Sequence, residues 1–355
     1  MTTPLVVKFG GDALATPERI AAAARRIALR RARQPVVAVA SARRGVTDHL
    51  LGLVDQVRQA AHGGRLPTAL ARASADRAIT TGEVVAASLL ALGLNDLGID
   101  AVVLDAREAG LVSRGPAGAA GLAEVRRARL DRVIQTGAVP VVTGFQGWRR
   151  GRVAALSRGG SDVTAVVLAE ALEATACELV KDPGAIHTAD PRLIAEARPI
   201  AEARPAFVTA LAEAGARIIH PVAAARAQRC GLELRFASVR PDGAPATVVT
   251  GTAADARSLV LAEGHGGLLA EPGDPAEVAT ITLVCDGPGI AAAGAAAAAA
   301  VRRLGAPLLR VEARSTAVSF LVSAAQGIPL LRALHGTLHR TARPGQSRER
   351  QYAHR

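Results

Sequence analysis

Over residues 1–250, short apolar segments alternate with longer amphipathic ones, and this alternation restricts the chain more than any other feature. "LVVKFGG", "PVVAVAS", "AVVLDA" and "AVPVVTGF" are followed later by "CELVKD" and "LELRFAS". Strands with so little polar surface need cover on both faces, which points to a mostly parallel sheet sandwiched by helices. The intervening segments supply those helices. Thr16-Pro17-Glu18 opens one with a cap, a proline in the first turn and an early acid. "TTGEVVAASLLALGLNDLG" and "GLAEVRRARLDRVIQTG" read as two more. Ligands of such α/β sheets collect at the carboxyl ends of the strands. Lys8 with Gly10 and Gly11, the run from Ser41 to Thr47, Gly144-Phe145 and Asp182 all fall there, so they are candidates for one pocket.

One segment stands out within this frame. "LSRGGSDVTAVVLAEAL" places Arg158, Gly159, Gly160, Ser161 and Asp162 directly before an apolar helix. A helix start concentrates unpaired N–H groups and the positive end of a dipole, and glycines let a ligand approach that backbone closely. An anion, phosphate above all, suits such a place. The alternative is a plain glycine turn in which Ser161 or Asp162 caps the helix.

The totals narrow the field. Aromatic residues make up 2% of the chain, so the core must be built from Ala, Val, Leu and Ile. The net charge of +12 is carried by arginines spread over helix faces, and without aromatic stacking platforms it does not read as a nucleic-acid surface. No uncharged apolar run approaches the ~20 residues of a bilayer span, and "MTTPLVVKFGG" lacks the pattern of a signal peptide. Three scattered cysteines, Cys177, Cys230 and Cys285, have no metal spacing and fit a reducing, cytoplasmic setting. Of 43 basic side chains only Lys8 and Lys181 are lysines, and both adjoin candidate phosphate-binding segments. Neither a P-loop nor a dinucleotide fingerprint is present.

The texture changes after the sheet. Residues 251–276, rich in Gly, Ala, Pro and acids, read as a linker or a remnant module. Residues 277–342 run β-α-β-β-α as a small α+β domain, and 343–355 read as a polar tail.

Taken together, "VVKFGGDAL", "SARRGVTDHLL", "TTGEVVAASLLA", "GFQGW", "LSRGGSDVTAVVLAEAL", "KDPGAIHTADPR" and "AEAGARIIHP" resemble the ordered motifs of aspartate kinases, within the amino acid kinase superfamily. The match covers about residues 4–250, and the small domain resembles one of the ACT regulatory modules such kinases carry. The resemblance implies ATP and Mg²⁺ as cofactors and a small amino acid as substrate, with no nucleic-acid or membrane partner. It implies Lys8, Asp162 and Arg217 as catalytic residues, with Asp162 orienting the cations. Thr47, Glu83, Phe145, Arg158, Gly159 and Ser161 would hold the substrate, Glu83 pairing with its ammonium and Arg158 with a carboxylate. Gly10, Gly11, Asp12, Ser41, Gly160, Lys181, Asp182, His187 and Arg192 would line the nucleotide. No residue is assigned to a metal.

The pattern is broken in four places. Asp12-Ala13 stands where the family has Thr-Ser, putting an acid beside the phosphates. Arg217 replaces a lysine, and Lys181 to His187 departs from the family's nucleotide segment by losing an acid and an aromatic ring while gaining a lysine. The stretch between Asp48 and Glu83 is short, and the first ACT module is reduced to a remnant. The expected activity is ATP-dependent phosphorylation of the aspartate side-chain carboxylate. An aspartate-like acceptor in a specialised pathway and a catalytically weak amino-acid-binding paralogue are the alternatives. The single ACT-like module implies pairing between subunits as a homodimer or higher oligomer, with weak or absent inhibition by lysine and threonine.

Overall fold

A computed structural model describes residues 3–61, 68–115, 120–239, 246–252, 259–265, 278–285, 290–303, 305, 309–314 and 317–340. The chain divides into two compact units: residues 1–186, 199–212 and 217–254 form the first, and 187–198, 213–216 and 255–355 the second.

The first unit is built on an eight-stranded sheet. Its strands lie in the order Glu202–Ala203, Thr247–Val249, Leu234–Ala237, Cys177–Val180, Leu5–Phe9, Val36–Ala40, Val139–Thr143, Ala101–Leu104. All neighbours pair in parallel except Leu234–Ala237 with Thr247–Val249. The chain leaves the Leu5–Phe9 strand toward one side of the sheet and returns at Cys177–Val180 on its other side. That reversal opens a crevice at the carboxyl ends of these two strands.

The side-chain period of two then sorts the first strand. Leu5, Val7 and Phe9 pack with Ile20, Ala23, Ala24 and Ile27 of the Pro17–Arg31 helix and with Ala86, Leu90 and Leu94 of the Thr81–Asn95 helix. Lys8 therefore points to the opposite face, where the Gly160–Ala171 helix covers the sheet. Alanine-rich helices approach closely, which is how so few aromatic residues fill this core.

Glu178 lies on the same face as Val180, against the Pro17–Arg31 helix, and is fully buried. Arg26 Nε donates to its Oε1 at 2.6 Å, and Arg30 Nη2 to its Oε2 at 3.1 Å.

One expectation needs correction. "GLAEVRRARLDRVIQTG" is not one helix: Gly121–Val125 is a strand and only Ala128–Gln135 is helical. Leu122 is buried between exposed neighbours, and pairing with Leu111–Arg114 outweighs the helical period. With Gln146–Arg149 and Arg152–Ala155 these strands make a separate four-stranded sheet.

The region read as a linker or a remnant module contributes a strand, Leu259–His265, to the second unit. It pairs antiparallel with Val278–Cys285 at the edge of a sheet completed by Ala317–Ser323 and Arg310–Ala313. The helices Ile290–Arg303 and Ala324–Arg340 supply Ala297, Val301, Leu330 and Leu334 to a core with Ile281, Leu283 and Phe320. Residues 253–258 and 266–276 of the expected linker or remnant and the expected tail, 343–355, lie outside the described residues.

Residues 69–95 reach the length and mean hydropathy of a membrane span but carry Arg72, Asp76, Arg77 and Glu83, so they are not the uncharged apolar run that the sequence reading found missing. The stretch contains the buried Asp76 and Glu83, and half of its apolar window is buried in the fold.

Candidate functional site

Because Lys8 points away from the core cluster, its ammonium meets the first turn of the Gly160–Ala171 helix. Lys8 Nζ lies 2.8 Å from Asp162 Oδ1, and both residues are more than nine-tenths buried. The other oxygen, Oδ2, accepts the backbone N–H of His220 at 3.1 Å. Burial alone would push the Asp162 carboxyl up; the charges of Lys8 and Lys181 and these hydrogen bonds outweigh it and hold it below the usual value.

Lys181 follows the Cys177–Val180 strand, at the other lip of the crevice. Its Nζ donates to the carbonyls of Ile218 and Arg217. Burial pushes the Lys181 ammonium down to about 8 against the pull of Asp162, while Lys8 adds repulsion. Lys8 pairs with the carboxylate directly, and Lys181 acts on it through its charge.

The glycines explain how the backbone fits around these groups. Gly159 is left-handed, with φ of +86°, and ends the turn as helix cap with no side chain capping the helix. The reading of Ser161 or Asp162 as a cap is thereby excluded, since Asp162 faces Lys8. A β-carbon at Gly144 would stand 2.6 Å from Ser161 Oγ, so Ser161 rests directly on Gly144. One at Gly160 would fall 2.5 Å from Leu156 Cβ and 3.3 Å from the Phe145 ring. Gly10 stands between the two lysines, and a β-carbon at Gly11 would come within 2.8 Å of the Ala42 carbonyl.

At the mouth, Asp12 faces Arg44 at 3.2 Å, while its carbonyl accepts Arg19 Nη1 at 2.8 Å. The same guanidinium reaches Asp182 at 3.6 Å. The acid that departs from the family pattern is therefore met by an arginine. Ser41 lies just beyond the Val36–Ala40 strand, its N–H bonded to the Phe9 carbonyl at 3.1 Å.

Glu83 sits in the first turn of the Thr81–Asn95 helix, 2% exposed. Its Oε1 accepts the Ala42 N–H at 3.2 Å, and its Oε2 is buried with no hydrogen-bond partner. Burial pushes its carboxyl up to about 7, against the Ala42 bond. Thr47, in the first turn of the Val46–Ala61 helix, precedes Asp48, which pairs with the exposed Arg158. Phe145, 8% exposed, holds a left-handed φ of +62°, an uncommon conformation for a bulky residue.

Lys8, Gly10, Gly11, Lys181, Gly160, Ser161 and Asp162 are thus brought together, with Asp12 and Asp182 linked through Arg19. Arg217 enters through its carbonyl, and its guanidinium is exposed. His187 and Arg192 belong to the second unit, where Arg192 pairs with Asp190 at 2.6 Å.

His220 was not assigned from the sequence. Its Nδ1 accepts the Val222 N–H at 3.1 Å, which leaves the proton on Nε2 to be shared with Ser157 Oγ at 3.1 Å. Burial lowers the imidazole's affinity for a second proton, against the pull of Asp162. Its position before Pro221 at a helix start was the available signal. Arg19, Arg44 and Asp48 were hidden among many similar charges.

The donor set fits nucleotide phosphates: two ammonium groups, glycine backbone and a helix start without a capping side chain. Among the described residues no cluster of three His, Cys, Asp or Glu forms a metal cage. Mg²⁺ accompanying a nucleotide needs only one or two carboxylates besides the phosphates, and Asp12 and Asp182 stand at the mouth for that.

Residues 3–238 match the amino acid kinase family. The chain is 35% identical over 243 residues to an aspartokinase of Bacillus sp. (strain MGA3), covering 67% of this chain and 57% of that protein. It is 36% identical over 236 residues to an aspartokinase of Thermus thermophilus, covering 66% and 56%. It therefore spans less than two thirds of the length of these relatives. Its fold is similar to E. coli aspartokinase III in complex with aspartate and ADP, with a TM-score of 0.78 and 19% identity over 94% of this chain and 99% of that one. Aspartate kinase from Synechocystis aligns with a TM-score of 0.60 and 24% identity, covering 95% and 69%.

Proposed function

From the premise that this chain belongs to the amino acid kinase family, we propose that it transfers the γ-phosphoryl group of ATP to the side-chain carboxylate of L-aspartate. The observation that carries this reading is the Lys8–Asp162–Lys181 cluster at the sheet's crevice, beside the glycine turn. A carboxylate oxygen forms the new bond to phosphorus, the bond to the bridging oxygen breaks, and ADP leaves with the electron pair. The acceptor is already a nucleophile, so no strong base is required; placement and charge neutralisation carry the rate. Lys8 neutralises the transferring group, Lys181 the phosphates beside it, and Asp162 holds both ammonium groups in place. Mg²⁺, when bound with ATP, neutralises phosphate charge.

Glu83 pairs with the substrate ammonium through its unbonded buried Oε2, and Arg158 exchanges Asp48 for a substrate carboxylate. Thr47, Phe145, Gly159 and Ser161 complete the amino-acid end. Gly10, Gly11, Asp12, Ser41, Gly160 and Asp182 line the nucleotide, and Arg217 contacts phosphate. The second unit, 277–342 in its main part, acts as an ACT-like module that pairs two subunits, and the enzyme works in the cytoplasm.

A second reading, an aspartate-like acceptor, is favoured by the Asp12–Arg44 pair at the mouth. ADP release with ATP–Mg and a panel of acidic amino acids separates the readings. Turnover on aspartate, with a product trapped by hydroxylamine as hydroxamate, supports the first. Turnover on an analogue alone supports the second, and amino-acid binding without turnover overturns both.

A further inference from the structure

The small sheet of the first unit carries a cavity of about 520 Å³ that the kinase reading leaves unused. Arg114, Arg126, Arg149 and Arg150 line it around Trp148. Arg126 pairs with Glu124 at 3.2 Å, but no carboxylate among the described residues pairs with Arg114, Arg149 or Arg150. A fifth cation, Arg107, stands 5.5 Å from the centre of the Trp148 ring. Guanidinium groups that outnumber their counter-charges focus a positive potential, and their planar forks match phosphate and carboxylate oxygens.

One further feature points the same way. Arg150 holds a left-handed φ of +47° beside Gly151 at +79°, in the hairpin turn between Gln146–Arg149 and Arg152–Ala155. Asn, Asp or Gly takes such a position more readily, and strain of this kind gathers at functional sites.

We infer that this cavity binds a small polyanion, a molecule carrying two or more phosphate or carboxylate groups. Trp148 is the single tryptophan of the chain, so its fluorescence reports on the cavity directly. The full chain is titrated with inorganic tripolyphosphate and, separately, with citrate, at constant ionic strength. A saturable change in emission with at least one of them is expected, and the pair shows whether phosphate or carboxylate is the better ligand. Arg114→Gln/Arg149→Gln should raise the midpoint at least tenfold. Arg150→Gly should weaken binding as well while relieving the turn, so its loss of affinity cannot come from unfolding. Lys8→Ala should leave the midpoint unchanged. No saturable change with either probe, equal midpoints in the arginine variants, or loss of the response in Lys8→Ala would overturn the site. A short RNA binding a hundredfold tighter than tripolyphosphate would overturn its small-molecule character.

Discussion

Lys8 pairs with the Asp162 carboxylate and the charge of Lys181 acts on it, so removing either changes the charge balance of the same buried place. Lys8→Ala is expected to lower kcat at least a hundredfold, because Lys8 is the cation paired directly with Asp162. It also leaves Asp162 without its nearest counter-charge, at a cost of about 3 kcal/mol in denaturant unfolding. Lys181→Met should lower kcat about tenfold with little change in the KM of the amino acid. Unchanged activity in that variant would remove Lys181 from the phosphate site.

Glu83 gives a pH signature. With its carboxyl raised to about 7, the group is largely neutral at pH 6 and must lose its proton to pair with an ammonium. The KM for the amino acid should therefore climb as pH falls below 7, by up to about tenfold per unit, and level off above it. Glu83→Gln should raise KM and flatten this profile. The stability effect has the opposite sense. A raised carboxyl favours the fold below its unfolded value and loses that advantage as pH rises through 7, so the Gln variant should gain in relative melting temperature across that window.

The Gly160–Ala171 helix is the element on which the site depends, and its seat is steric. Gly144→Ala forces a β-carbon against Ser161 and should cost about 1–3 kcal/mol, with a parallel fall in kcat. Adding Ser161→Gly should recover most of the stability, which a thermal-melt cycle measures. This element was legible in the sequence because glycines before an apolar run have few uses. The Gly121–Val125 strand was not, since its neighbours Arg126 to Gln135 continue a helical pattern and the pairing that decides the matter lies in residues 111–114. The Leu259–His265 strand escaped for the same reason: its partner, Val278–Cys285, lies across residues whose composition reads as linker.

At the scale of the whole molecule, the second unit has, among the described residues, a four-stranded sheet with two helices, which suits the ACT-like module proposed for it. With one such module proposed per chain, lysine and threonine at millimolar levels should leave the kinase rate within about twofold. Sedimentation should give twice the chain mass of 36.2 kDa if the module pairs subunits. A monomer would retire that role.

Local order was enough to determine the alternating apolar segments, the glycine turn and the two lysines, because backbone periodicity and glycine's freedom act within a few residues. Only the tertiary structure decided which charges meet. The pairing of Asp12 with Arg44, of Arg158 with Asp48, and the seat of His220 on Asp162 join residues from separate segments. In a chain with 43 basic side chains, composition offers each acid many partners, and strand order in the sheet selects among them.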